Sequence, residues 1–176
     1  MSPSNAGVAG NGGEHLIPRH RHVSGVTPIG GGGLRSVLLA VDGSESAARA
    51  AERLIAMRGE LREPAALSVH LLNVQRPVSG DVSRFVPGRT LDEYHRERGD
   101  AALDPARALL DAAGVAHTDH YGAGEPGPTI VQVAADEGCD MIVMGTRGHG
   151  ASTAALIGSV AQSAVAHATM PVLLVK

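Results

Sequence analysis

Lysine is almost missing from this chain: of 176 residues, only the last, Lys176, is a lysine. A P-loop needs a lysine directly after its glycines to reach the β/γ-phosphates, and pyridoxal enzymes need one for a Schiff base, so both classes fall away. Tryptophan is absent and aromatic residues amount to 2%, which leaves few platforms on which single-stranded bases could stack. A formal net charge of −3 gives no whole-protein attraction to polyanions, and nucleic acid is not expected as a partner. The single cysteine, Cys139, forbids an internal disulfide and agrees with a reducing compartment. Its place just before an apolar run suits a small core residue better than a catalytic thiol. The apolar runs are of strand length, far short of a membrane span, and the first residues lack the apolar stretch of a signal peptide. A soluble, cytoplasmic protein without membrane contact is expected.

Residues 1–34, with Gly30, Gly31, Gly32 and Gly33 and scattered Pro, Asn, Ser and His, show no periodic apolar pattern that could offset the entropy of ordering. They read as a flexible tail ahead of a domain spanning 35–176. His15, His20 and His22 in that tail are of the kind that binds metals adventitiously.

Five short apolar runs alternate with helical patterns: 36–41, 67–74, 116–121, 141–144 and 172–175. The first, fourth and fifth are almost continuously apolar, as strands buried on both faces of a parallel sheet are. The third, with His117, Thr118, Asp119 and His120, is polar on both faces and suits a sheet edge. Strand alternation separates His117 and Asp119 from His120, which argues against one shared metal. Ser44 is placed to cap a first helix ending before Gly59. Thr90 and Glu93 make a capping box for a second helical region that runs to about Ala113, with Pro105 expected to kink or interrupt it. Pro128 suits the first position of a third helix closed by Gly138, and Ser159 with Gln162 forms a capping box for a fourth. Strict alternation means α/β, with helices on both faces and right-handed crossovers.

The densest glycine pattern follows the fourth strand. Gly145 and Gly148 are followed by nine residues and then Gly158 and Ser159. Glycines permit positive φ and close backbone approach, and a strand that ends in such a loop, leading into a helix start, aims N–H groups at one point where an anion can sit. A tight turn with no ligand is the alternative for the glycines, and capping the helix or bonding a phosphate oxygen are both open to the Ser159 hydroxyl. In an open sheet the ligand lies beyond the carboxyl ends of the strands where strand order reverses. If the order is 3-2-1-4-5, this crevice lies between strands one and four, and Asp42, Gly43 and Ser44 meet the glycine loop there. Asp42 could accept from ribose hydroxyls or help hold Mg²⁺ at a polyphosphate, or merely organise its own turn. Val74 could wall an adenine or be ordinary core. Arg147 could reach a phosphate or stay solvated, and His149 has no identifiable orienting partner for base chemistry.

Taken together, the segments 37–44, 140–148, 156–160 and 170–175, with the spacing Gly-x2-Gly-x9-Gly-Ser, resemble the ATP-binding subgroup of the universal stress protein family over residues 35–176. The resemblance implies a Rossmann-like sheet of order 3-2-1-4-5, with ATP, accompanied by Mg²⁺, in the crevice. It implies Ala40, Asp42, Val74 and Met144 around the adenosine, and Gly145, Gly148, Gly158, Ser159 and Val160 on the phosphates; Arg147 is expected beside them from its own place between the loop glycines. It also implies a homodimer that pairs the last strand, Val172–Val175. A stress-response regulator or sensor with at most slow ATP hydrolysis is expected; a nucleotide-hydrolysing enzyme on the same scaffold, or an interaction module without nucleotide, are the alternatives. The stretch 76–89 reads as a mobile loop.

Overall fold

A computed structural model of the chain describes residues 33–76, 91–149 and 156–176, with only the backbone of 91–95. The elements are β1 (Ser36–Ala40), α1 (Glu45–Gly59), a 3-10 turn (Pro64–Ala66), β2 (Ser68–Gln75), α2 (Leu91–Ala112), β3 (His117–Ala123), α3 (Pro126–Asp136), β4 (Met141–Gly145), α4 (Ser159–His167) and β5 (Val172–Val175). The strands form one five-stranded sheet of order β3-β2-β1-β4-β5, parallel at every pairing. The polar third strand lies at an edge, as its sequence predicts, and extends two residues further than the apolar pattern suggests.

Alternation along β1 divides the core. Val37 and Leu39 face α1 and α2, where they meet Leu54, Leu103 and Leu110. Leu38 and Ala40 face α3 and α4, where they meet Ile130, Ala134 and Ala164. Leu38, Leu39, Leu71 and Ile142 are wholly enclosed, each contributing about 1.5–3 kcal/mol of transfer free energy. A central strand with no polar face must be covered on both sides, which is why helices occupy both.

The caps refine the sequence reading. Ser44 Oγ accepts the N–H of Ala47 at 3.2 Å, as expected, but Gly59 is the last helical residue of α1 rather than the residue beyond it. Gly114 and Gly138 close α2 and α3 with φ of +62° and +65°, a conformation that costs glycine little. Pro126, not Pro128, holds the first turn of α3 from its start. Pro105 does not interrupt α2, which stays helical from Leu91 to Ala112. Pro105 is exposed, so the carbonyl it leaves unbonded can turn to water, while Leu103, Ala106 and Leu110 anchor the opposite face in the core. Thr90, the side chain of Glu93, residues 1–32 of the 1–34 tail and the 76–89 loop beyond Arg76 lie outside the described residues, while Leu34, the last tail residue, packs partly buried against the core. Among the described residues, no helix is long and apolar enough to cross a membrane.

Candidate functional site

The strand order reverses between β1 and β4, and a cavity of about 740 Å³ opens at their carboxyl ends. That volume lies within the roughly 300–1,000 Å³ of small-molecule sites. Ala40, Val74 and Met144 form its apolar wall. Asp42, Arg147 and Gly148 stand at its polar side, where Gly145, Gly158, Ser159 and Val160 also line it. The structure therefore brings every site residue predicted from sequence to one cavity.

Hydrogen bonds hold the two loops together. Asp42 Oδ1 accepts the N–H of Ser44 at 3.0 Å, and its Oδ2 accepts the N–H of His149 at 2.9 Å. The carboxylate thus organises its own turn and also clamps the glycine loop. Gly158 N–H donates to the Thr146 carbonyl at 2.7 Å, and Thr146 N–H donates to the Val175 carbonyl at 2.7 Å. Through these bonds the start of α4 is fastened to the end of β4. The first-turn amides of a helix have no intrahelical acceptor, so the Ser159 and Val160 N–H groups, with the positive end of the α4 dipole, border the cavity.

Two features of the loop differ from the sequence reading. Gly158, not Ser159, occupies the cap position of α4, and Ser159 is its first helical residue. Gln162 donates from Nε2 to the Ile157 carbonyl at 2.9 Å instead of closing a capping box. This leaves the exposed Ser159 hydroxyl outside the capping role. The second difference concerns why the loop needs glycine. Gly145, Gly148 and Gly158 do not adopt positive φ. A Cβ on Gly145 would run into Ser46, and one on Gly148 into Asp42 Oδ2. Close approach, rather than left-handed backbone, excludes side chains at these two positions.

A family model for the universal stress protein family matches residues 33–176. The chain belongs to the universal stress protein family. A universal stress protein of Thermus aquaticus, from the QAH/OAS sulfhydrylase 3' region, is 33% identical over 143 residues, covering 81% of this chain and 98% of its own. The solved structure of hypothetical protein MJ0577, the universal stress protein MJ0577 of Methanocaldococcus jannaschii, superposes with a TM-score of 0.68 at 28% identity, covering 81% of this chain and 96% of its own. A universal stress protein from Archaeoglobus fulgidus, solved in complex with dAMP, is 26% identical with a TM-score of 0.55, covering 81% of this chain and 98% of its own.

Within this universal stress protein domain, sequence reasoning missed three polar residues behind the crevice. Asn73 is buried in β2, where its Nδ2 donates to the Val41 carbonyl at 2.8 Å and its Oδ1 accepts from Gln75 Nε2 at 2.6 Å. It pins the main chain just before Asp42. An asparagine set between the apolar Leu72 and Val74 was the available signal, because a buried amide must find partners. Ser46, also buried, donates from Oγ to the Val175 carbonyl at 3.3 Å. Buried Thr146 supplies the main-chain junction between α4 and β5. Arg147 and His149 are both exposed at the mouth, and a side chain built on Gly43 would meet the His149 ring at 3.7 Å.

Proposed function

We propose that this chain is an adenine-nucleotide-binding regulator or sensor of the stress response, holding ATP between the ends of β1 and β4 and hydrolysing it slowly at most. The observation that carries the reading is the convergence of two distant segments. Asp42 grips the glycine loop through the His149 N–H, and Gly158 ties the open amides of α4 to the same loop. Backbone donors at a helix start suit phosphate, while Ala40, Val74 and Met144 give the cavity apolar lining of the kind a purine ring packs against. The dAMP complex of the Archaeoglobus fulgidus relative supports an adenine nucleotide as the class of ligand.

On this reading Ala40, Asp42, Val74 and Met144 would hold the adenosine portion. Gly145, Gly148, Gly158, Ser159 and Val160 would meet the phosphates, with Arg147 at their outer side. Mg²⁺ would accompany the polyphosphate and partly neutralise it. Each Asp42 oxygen accepts one N–H and retains acceptor capacity for a hydroxyl or a hydrated ion. Fast phosphoryl transfer calls for a positioned base and cationic clamps; the groups at hand along the cavity are the exposed Arg76, Arg98, Arg147 and His149. The protein would act as a homodimer joined along β5, one of the two edge strands of the sheet.

Mass spectrometry of the purified protein after gentle denaturation, followed by calorimetry with ATP, AMP and dAMP, tests the reading. Co-purifying adenine nucleotide, or saturable ATP binding with Mg²⁺, is the expected result. Absence of any bound nucleotide together with no measurable affinity for all three ligands refutes it. Rapid release of AMP or ADP would move the protein into the class of hydrolytic enzymes.

A further inference from the structure

A second set of ligand-type side chains lies away from the crevice mouth, on the α3 face of the sheet next to its β3 edge. His70 pairs in register with Thr118, so His120 stands one pleat further along the neighbouring strand and on the same face. The two rings lie with centroids 5.1 Å apart at a tilt of 31°, and His70 Nδ1 is 3.0 Å from His120 Nε2. Glu137, at the C-terminal cap of α3, brings Oε2 to 3.7 Å from His70 Nδ1 and Oε1 to 3.9 Å from His120 Nδ1. One donor atom from each residue lies within 4.8 Å of the other two, the one such trio among the described residues.

We propose that His70, His120 and Glu137 form a binding site for a divalent transition ion, with zinc as the physiological occupant. Tetrahedral zinc with bonds of 2.0–2.1 Å sets its donors about 3.3 Å apart, to be compared with 3.0 Å between His70 Nδ1 and His120 Nε2, 3.7 Å between His70 Nδ1 and Glu137 Oε2, and no more than 4.8 Å across the trio. Two imidazoles and a carboxylate match zinc and its first-row neighbours, whereas calcium and magnesium demand oxygen donors throughout. The donor set leaves a fourth position for water. The rings are fixed by partial burial, at 15% and 20% side-chain exposure, while the carboxylate at 39% keeps a path open to solvent. Burial first, and then the neighbouring His120 ring, hold His70 below its ordinary range against the opposing pull of Glu137. The neutral imidazole this favours is the form that ligates metal. The three donors come from β2, β3 and the end of α3, so the ion would clip the edge strand and the helix to the sheet interior.

The test must separate this site from His15, His20 and His22, which also bear imidazoles. The full-length chain carrying His15→Gln, His20→Gln and His22→Gln together is titrated with Co²⁺, whose visible ligand-field bands report low coordination number, and then challenged with Zn²⁺. One equivalent of Co²⁺ is expected, displaced by Zn²⁺, with an accompanying rise in the midpoint of thermal unfolding that a chelator reverses. In that background His120→Gln and Glu137→Gln should each weaken binding by more than about tenfold, the lower end of what loss of even an outer-shell partner costs. Lack of saturable binding by the tail-substituted protein, or unchanged affinity in either ligand variant, overturns the site. Glu137→Gln lies at an exposed helix end and decides the matter alone should His120→Gln not fold.

Discussion

The carboxylate of Asp42 accepts the main-chain N–H of His149 at 2.9 Å, joining the end of β1 to the loop after β4 across 107 residues of sequence. The same side chain fixes the N–H of Ser44 at 3.0 Å. Asp42→Asn preserves the shape and the Oδ1 bond but turns an N–H donor toward the His149 N–H. Calorimetry should therefore show ATP affinity falling by about tenfold or more, the equivalent of one charge-assisted hydrogen bond at about 1.5–3 kcal/mol. Full ATP affinity in Asp42→Asn would mean that the clamp does not shape the ligand site.

Gly148 lies so close to Asp42 that a Cβ would collide with Oδ2. Gly148→Ala should thus displace the loop without adding charge, weakening ATP binding and lowering the unfolding midpoint. In an Asp42→Ala background the collision partner is gone, and Gly148→Ala should cost much less. A double-mutant cycle read by thermal unfolding should give a coupling of about 0.5–3 kcal/mol, as residues in contact do. Strict additivity of the two substitutions would contradict the contact.

Much of this arrangement was legible in the sequence because it is local or periodic. The unbroken apolar runs at β1 and β4 announce strands covered on both faces, and the polar β3 announces an edge. Capping by Ser44 and the glycine stops at Gly114 and Gly138 obey rules that operate within a few residues. What was not legible depends on register between strands distant in sequence. Nothing in the one-dimensional pattern says that His70 meets Thr118 in the ladder and so brings His120 against it, or that the first turn of α1 presses Ser46 against Gly145. Asn73 was hidden for another reason: in a strand it looks like an imperfection, and its worth appears only once the Val41 carbonyl is seen to need a donor. Pro105 misled because its propensity rule assumes a buried or isolated helix interior, whereas here the proline faces water and the opposite face is held by the core.

Cys139 is buried, and desolvation pushes its thiol up to about 11, opposed only by the Ser36 hydroxyl that contacts its sulfur at 3.5 Å. The nucleophilic thiolate is therefore scarce at neutral pH. Iodoacetamide at pH 8 should label the folded protein far more slowly than the urea-unfolded chain, and because this is the sole cysteine the rate reports opening of the α3 and β4 junction. Equal labelling rates with and without urea would show that the residue is not enclosed.

Arg107 joins four groups at once: Asp100, Asp104, Asp119 and the Tyr121 hydroxyl, at 2.7–2.9 Å. This fastens the edge strand β3 to α2. Asp119 Oδ1 is buried without a hydrogen-bond partner, His117 Nε2 standing 3.6 Å from it, so the direct hydrogen bond to this carboxylate is the one the guanidinium makes to Oδ2. Arg107→Met should destabilise the fold by about 1–3 kcal/mol in urea titrations, a range that allows for solvent screening. Arg107→Lys should recover little, since one ammonium cannot reproduce the planar fork. The hydrogen bond from Tyr121, followed by that from Arg107, holds the Asp100 carboxyl below its ordinary value of 3.8. A depressed folded value makes this contribution complete above about pH 3.8 and lost as pH falls through the lower folded value. The wild-type protein should accordingly lose more stability than Arg107→Met between pH 5 and pH 2; parallel pH profiles would remove the network from the account of acid stability.

The free edge of β5 supplies a test of the proposed dimer that leaves the crevice untouched. The carbonyls of Pro171 and Val175 accept from Ile142 and Thr146 on the β4 side. Main-chain groups alternate in direction along a strand, so those of Val172 and Leu174 point away from β4 and toward any partner strand. Leu174→Pro removes one outward N–H and obstructs pairing along that edge, while the bonds to β4 stay in place. Proline is tolerated on an edge strand when its missing N–H faces outward. Analytical ultracentrifugation should find the wild-type chain dimeric at micromolar concentration and Leu174→Pro monomeric, with ATP affinity in the variant within a few-fold of the original. A monomeric wild type, or a variant that still dimerises, would detach the β5 edge from assembly while leaving the nucleotide reading intact.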